Sequence, residues 1–140
     1  MEKQSITVSV QIKAPVHHVW ECWTQPRHIV KWNNASDDWH TPMATNDLKK
    51  GGKFSYRMES KDGSVGFDFE GIYTEVEPLK KIAYAMADGR IAVIQFTDKG
   101  KETFVEETFD AETENSIELQ RQGWQAILNN FKKLAESIAN

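Results

Sequence analysis

Apolar and polar residues alternate from Ile6 to Ile12, with Val8 and Val10 on the apolar side and Thr7, Ser9 and Gln11 on the other. A period of two marks a half-buried strand. Ala14-Pro15 ends it, and proline's restricted φ suits the first turn of a helix. The period then changes. Val16, Val19, Trp20 and Trp23 recur at i, i+3, i+4 and i+7, one face of a helix. Thr24 is placed to cap a second short helix, which Pro26 opens and which carries Ile29 and Trp32. Residues 33 to 47 are polar and aperiodic, contain Pro42 and read as a long loop with Trp39 near its centre.

From Gly51 the period of two returns. Phe54, Tyr56 and Met58 alternate with polar residues, Asp62-Gly63 makes a tight turn, and Phe67, Phe69, Gly71 and Tyr73 alternate again. Glu77-Pro78 turns the chain before Ile82, Tyr84 and Met86, and Asp88-Gly89 turns it before the apolar run from Ile91 to Thr97. After Asp98-Lys99-Gly100-Lys101, Thr103 to Phe109 forms the last strand. Such short connections require an antiparallel meander. The C-terminal segment predicts a helix of about 24 residues, about 36 Å long. Asn115 is its expected cap, with Glu118 as the capping-box acid. Ile117, Trp124, Ile127, Leu128, Phe131, Leu134, Ala135 and Ile138 share its apolar stripe. The predicted class is α+β: a six-stranded antiparallel sheet, two short helices after the first strand, and one long C-terminal helix, all in a single domain over residues 1–140.

A sheet with one wet face buries the other against something apolar, and only the long helix is large enough. That helix is about 10 Å across, while strands lie about 4.8 Å apart. Either the sheet curls around the helix or the short helices cover the remainder, and in both cases the groove between helix and sheet is where a cavity could open. Trp124 and Phe131 from the helix, with Phe69, Tyr73 and Tyr84 from the strands, are its candidate lining. Five tryptophans in 140 residues strengthen the idea, because the polar tips of Trp and Tyr need partners when buried.

Composition narrows the function. A formal net charge of -4 argues against a nucleic-acid partner. One cysteine, Cys22, excludes an internal disulfide and a cysteine-rich zinc site. It sits between Trp20 and Trp23 as a small core residue; a nucleophilic role would need His17 or His18, one helical turn away, to draw off its proton. No apolar run reaches the length of a leader or a membrane span, so a cytoplasmic protein without a membrane partner is expected. Asp37-Asp38-Trp39-His40 collects metal-ligating residue types, but in a polar loop and at no recognised ligand spacing; no metal and no cofactor is expected. Glu106 and Glu107 are adjacent in mid-strand, so one of them shares the apolar face. A carboxyl there is desolvated and its pKa raised unless a cation such as Arg57 or Arg90 pairs with it. It could orient a ligand's polar group or act as a general acid or base.

The run Val19-Trp20-Glu21-Cys22-Trp23-Thr24-Gln25-Pro26, followed by Ile29 and Trp32, resembles the first signature of the START-like (SRPBCC) superfamily. Asp47-Leu48 with Gly51-Gly52-Lys53-Phe54, Phe67-Asp68-Phe69-Glu70-Gly71-Ile72-Tyr73, Asp88-Gly89-Arg90, Glu107-Thr108-Phe109 and Gln122-Gly123-Trp124-Gln125-Ala126-Ile127-Leu128 resemble the branch named for the activator of the ninety-kilodalton heat-shock-protein ATPase. The resemblance implies the helix-grip fold, a curved sheet holding the C-terminal helix with an apolar cavity between them. It also implies a choice of roles, since relatives include lipid and hormone carriers, aromatic cyclases and a stress-response co-chaperone. The expected function is non-enzymatic binding of a small hydrophobic ligand by Trp32, Phe69, Tyr73, Tyr84, Glu106, Trp124, Leu128 and Phe131. The alternatives are stimulation of a heat-shock ATPase, with a chaperone as partner, and a cyclase- or hydrolase-type enzyme using the same cavity.

Overall fold

The computed structural model describes residues 4–138; the polar stretch Met1 to Lys3 at the start of the chain lies outside the described residues. The order of elements is β1 (Ser5–Ile12), α1 (Val16–Thr24), α2 (Pro26–Trp32), β2 (Trp39–Asn46), β3 (Lys53–Ser60), β4 (Gly66–Glu77), β5 (Lys81–Met86), β6 (Ile91–Asp98), β7 (Thr103–Asp110) and α3 (Ile117–Ser137). All strands join one antiparallel sheet in the order β1-β7-β6-β5-β4-β3-β2. The meander from β2 to β7 is closed by β1, which returns to pair with the last strand. The sheet curls as a half-barrel around α3, which is the helix-grip arrangement.

The sheet has seven strands, not six. The additional one, β2, occupies most of the segment expected to be a loop. It is an edge strand with little of itself buried, so it shows no apolar alternation. A bulge between His40 and Met43 breaks its register with β3, and Pro42 beside the bulge is tolerated where no ladder donor is needed. Side chains hold β2 to the core instead: Thr41 Oγ1 donates to the Asn33 carbonyl at 2.6 Å and accepts from Asn33 Nδ2 at 3.2 Å.

Two helix starts also differ from expectation. Ser116, not Asn115, caps α3, its hydroxyl accepting from the Leu119 amide at 3.1 Å. Glu118 pairs with Arg121 at 3.2 Å. Thr24 ends α1, its hydroxyl donating to the Trp20 carbonyl at 2.9 Å, while Gln25 precedes Pro26 as the cap residue of α2.

The core is the concave face. Ile6, Val8, Val10 and Ile12 of β1 are buried, as are Ala92, Ile94 and Phe96 of β6 and Leu128, Phe131 and Ala135 of α3. Polar contacts fix the helix to the first strand: Gln125 Nε2 donates to the Ser9 carbonyl at 3.1 Å, Lys132 Nζ donates to the Gln11 carbonyl, and Glu136 accepts from the Lys13 amide at 2.9 Å. Trp23, Trp32 and Phe131 pack edge-on or tilted at 4.8–5.1 Å and fill one end of the groove.

Candidate functional site

The other end of the groove is open. A cavity of about 200 Å³ lies between α3, α2 and strands β3, β4, β5 and β7. Its wall is built by parity. Phe54 and Tyr56 of β3, Tyr73 of β4 and Tyr84 of β5 point to the concave side by alternation and pack around Phe54 at ring separations of 4.8–5.4 Å. Gly71 makes this possible. It pairs with Phe54 across the strands, and a Cβ on it would fall 2.5 Å from the Phe54 ring. Opposite stands Trp124 of α3, stacked on Phe109 at 3.8 Å and meeting Phe69 edge-on at 6.4 Å. Phe67 lines the cavity while 46% exposed, so it marks the rim, and Trp39 lies 6.0 Å from it.

Of the residues expected from sequence, Trp32, Phe69, Tyr73, Tyr84 and Trp124 line this cavity. Leu128 and Phe131 do not: they are buried in the core, Phe131 against Trp23 and Trp32. Glu106 does not either. It pairs with Ser9 and Gln95 on the opposite face of β7, and Glu107 is the acid on the cavity side. The signal was in the alternation, because Glu107 shares its parity with Val105 and Phe109. Phe104, on the parity of Glu106, obscured it by packing outward under the Lys99 ammonium. Phe54, Tyr56, Met58, Phe67 and Ile127 also line the cavity; their apolar periodicity was legible, their exposure to empty space was not.

Polar groups in the wall are few. Tyr73 Oη donates to Asn46 Oδ1 at 2.5 Å, and Asn46 Nδ2 donates to the Thr24 carbonyl at 2.7 Å, tying β4 through β2 to the end of α1. Burial pushes the Tyr73 phenol up to about 12, and those of Tyr56 and Tyr84 well above the ordinary range. All stay protonated at physiological pH. Glu107 is 6% exposed, and burial raises its carboxyl from 4.5 to about 8. Arg57 is engaged by Glu59 at 2.9 Å and Asp68 at 3.4 Å, and Arg90 by Asp88 at 2.7 Å, so neither arginine is its partner.

The other candidates resolve differently. Cys22 Sγ lies 3.6 Å from His18 Nε2, but that nitrogen donates to the Ala135 carbonyl at 2.9 Å and cannot take the thiol's proton. Cys22 is a buried core residue, and that burial pushes its thiol up to about 11. His40 lies 3.7 Å from Glu59, and among the described residues no trio of His, Cys, Asp and Glu is gathered to hold a metal ion. Among them, too, no helix is long and apolar enough to cross a membrane.

Comparison with known proteins places this architecture. Residues 13–136 match the family described as Activator of Hsp90 ATPase homolog 1-like protein. The chain belongs to that family. Among solved structures it is similar to the AHSA1-like protein from Aeromonas hydrophila, with 43% identity and a TM-score of 0.90 over 96% of this chain and 93% of that one. Chr148 from Cytophaga hutchinsonii is 49% identical, with a TM-score of 0.82 over 95% of this chain and 92% of that one. NE0264 from Nitrosomonas europaea shares the fold alone, at 20% identity and a TM-score of 0.81 over 95% and 94% of the two chains. A comparison with curated proteins found no match.

Proposed function

We propose that this protein binds a small, largely apolar molecule in the cavity between α3 and the sheet, without transforming it. The observation that carries the reading is an aromatic-walled cavity of about 200 Å³ that side chains leave open in an otherwise packed core. Protein interiors close voids of this size, since each costs stability in proportion to its volume. Burial of the ligand's apolar surface supplies affinity at roughly 25 cal/mol per Å² before ordering costs. A covalent route to hydrolysis needs a nucleophile activated by a base, and the Cys22–His18 pair does not provide it.

Trp124 is the test, because it forms the wall on the helix side and its indole reports on what sits beside it. A naphthalene derivative titrated into the protein is expected to shift the Trp124 indole resonance. Trp124→Ala is expected to weaken that binding by roughly tenfold or more, with the far-ultraviolet circular dichroism unchanged. A folded protein that takes up no member of a broad lipid and aromatic library would overturn the reading. The family's description carries the rival, stimulation of a heat-shock ATPase. The rate of such an ATPase with and without this protein decides it.

A further inference from the structure

Among the described residues one acid, Glu107, lines the cavity. Across the ladder Glu107 faces Val8 on β1 and Ile94 on β6, both buried and apolar. Trp124 and Ile127 of α3 border the same space. The titratable groups that face it are the phenols of Tyr56 and Tyr84. Among the described residues no ion pair or hydrogen bond is made by its carboxyl, and both candidate arginines are engaged elsewhere. A buried polar group without a partner is costly, so this one stands ready for a partner that enters the cavity.

We propose that Glu107 sets the specificity of the cavity, its carboxylic O–H donating to the carbonyl oxygen of a neutral, largely apolar ligand. The inference rests on the ligand-binding reading above and names the polar group that the ligand carries. An acid held neutral by desolvation to about pH 8 offers one O–H donor. In apolar surroundings its complement is an uncharged acceptor. A ligand ammonium would require the ionised acid and bury an ion pair with most of its hydrogen-bonding sites unmet. Of the phenols in the wall, Tyr73 Oη is committed to Asn46 and Tyr56 is hydrogen-bonded to Tyr73, which leaves Tyr84 Oη as the donor beside Glu107.

Three probes of one shape separate the possibilities: acetylnaphthalene, ethylnaphthalene and aminomethylnaphthalene, titrated into the wild type, Glu107→Gln and Glu107→Leu and followed by indole N–H resonances. Near pH 6 the wild type is expected to bind the ketone about tenfold more tightly than the hydrocarbon. Above about pH 8, where Glu107 ionises, that preference disappears. Glu107→Gln keeps an N–H donor of the same shape at every pH and retains the preference throughout. Glu107→Leu binds the ketone and the hydrocarbon equally. A wild type that binds the hydrocarbon without favouring the ketone, or that binds the amine tightest and more so as pH rises, would overturn the assignment and leave the cavity reading standing. Failure of all three probes to bind would overturn both.

Discussion

A single carboxyl illustrates how much one residue's environment decides. Glu106 and Glu107 are the same amino acid in adjacent positions, yet only Glu107 leaves water. Its carboxyl rises from 4.5 to about 8 through burial. Between those values the folded chain holds a proton that the unfolded chain releases. Folding is therefore favoured below the lower value and loses stability as pH rises through the window, at up to roughly 1.4 kcal/mol per pH unit. Glu107→Gln removes this slope. Urea unfolding of both proteins across the window is expected to show the variant gaining on the wild type as pH rises. Parallel pH profiles would mean that the carboxyl is not desolvated. At this scale the alternation of Val105, Glu107 and Phe109 made the facing legible, whereas the absence of a cation beside Glu107 among the described residues was not. Arg57 and Arg90 were candidates by charge alone; Glu59 and Asp88 engage them from two residues away along the chain, and Asp68 reaches Arg57 from the paired strand β4, which is a matter of register.

Elements were legible where one face is buried and the other wet. β1, β3, β4 and α3 write their burial into a period of two or 3.6, and each formed where that period predicts. β2 writes almost nothing, because an edge strand that pairs with β3 and buries little of itself has no face to keep apolar. The start of α3 was ambiguous for another reason. Asn115 and Ser116 are both good caps, and the choice depends on which carries the extended backbone that precedes the first turn. Ser116 does, with its side chain on the Leu119 amide. Ser116→Ala is expected to cost about 1 kcal/mol in thermal or denaturant unfolding and Asn115→Ala less than about half of that. Equal effects would place the cap elsewhere.

For the whole molecule, the cavity follows from a mismatch of widths. One helix cannot fill a seven-stranded concave sheet. The tryptophans of α1 and α2, with Phe131, make up the difference at one end, and the tyrosines and Phe54 wall an opening at the other. A space that exists only in the folded state links binding to stability. Acetylnaphthalene at a hundred times its dissociation constant is expected to stabilise the protein by about 2.7 kcal/mol, seen as a higher midpoint of thermal unfolding; an unchanged midpoint would mean that the probe does not prefer the folded chain to the unfolded one. The sequence by itself determined the α+β class, the meander, the long helix and most of the aromatic wall, because periodicity and turn chemistry are local consequences of backbone geometry. Only the tertiary structure decided that Leu128 and Phe131 are packed while Trp124 borders open space, that β2 completes the sheet, and that among the described residues no cation pairs with Glu107. Those outcomes depend on which side chains, distant along the chain, meet across the curl of the sheet, and no local pattern encodes that distance.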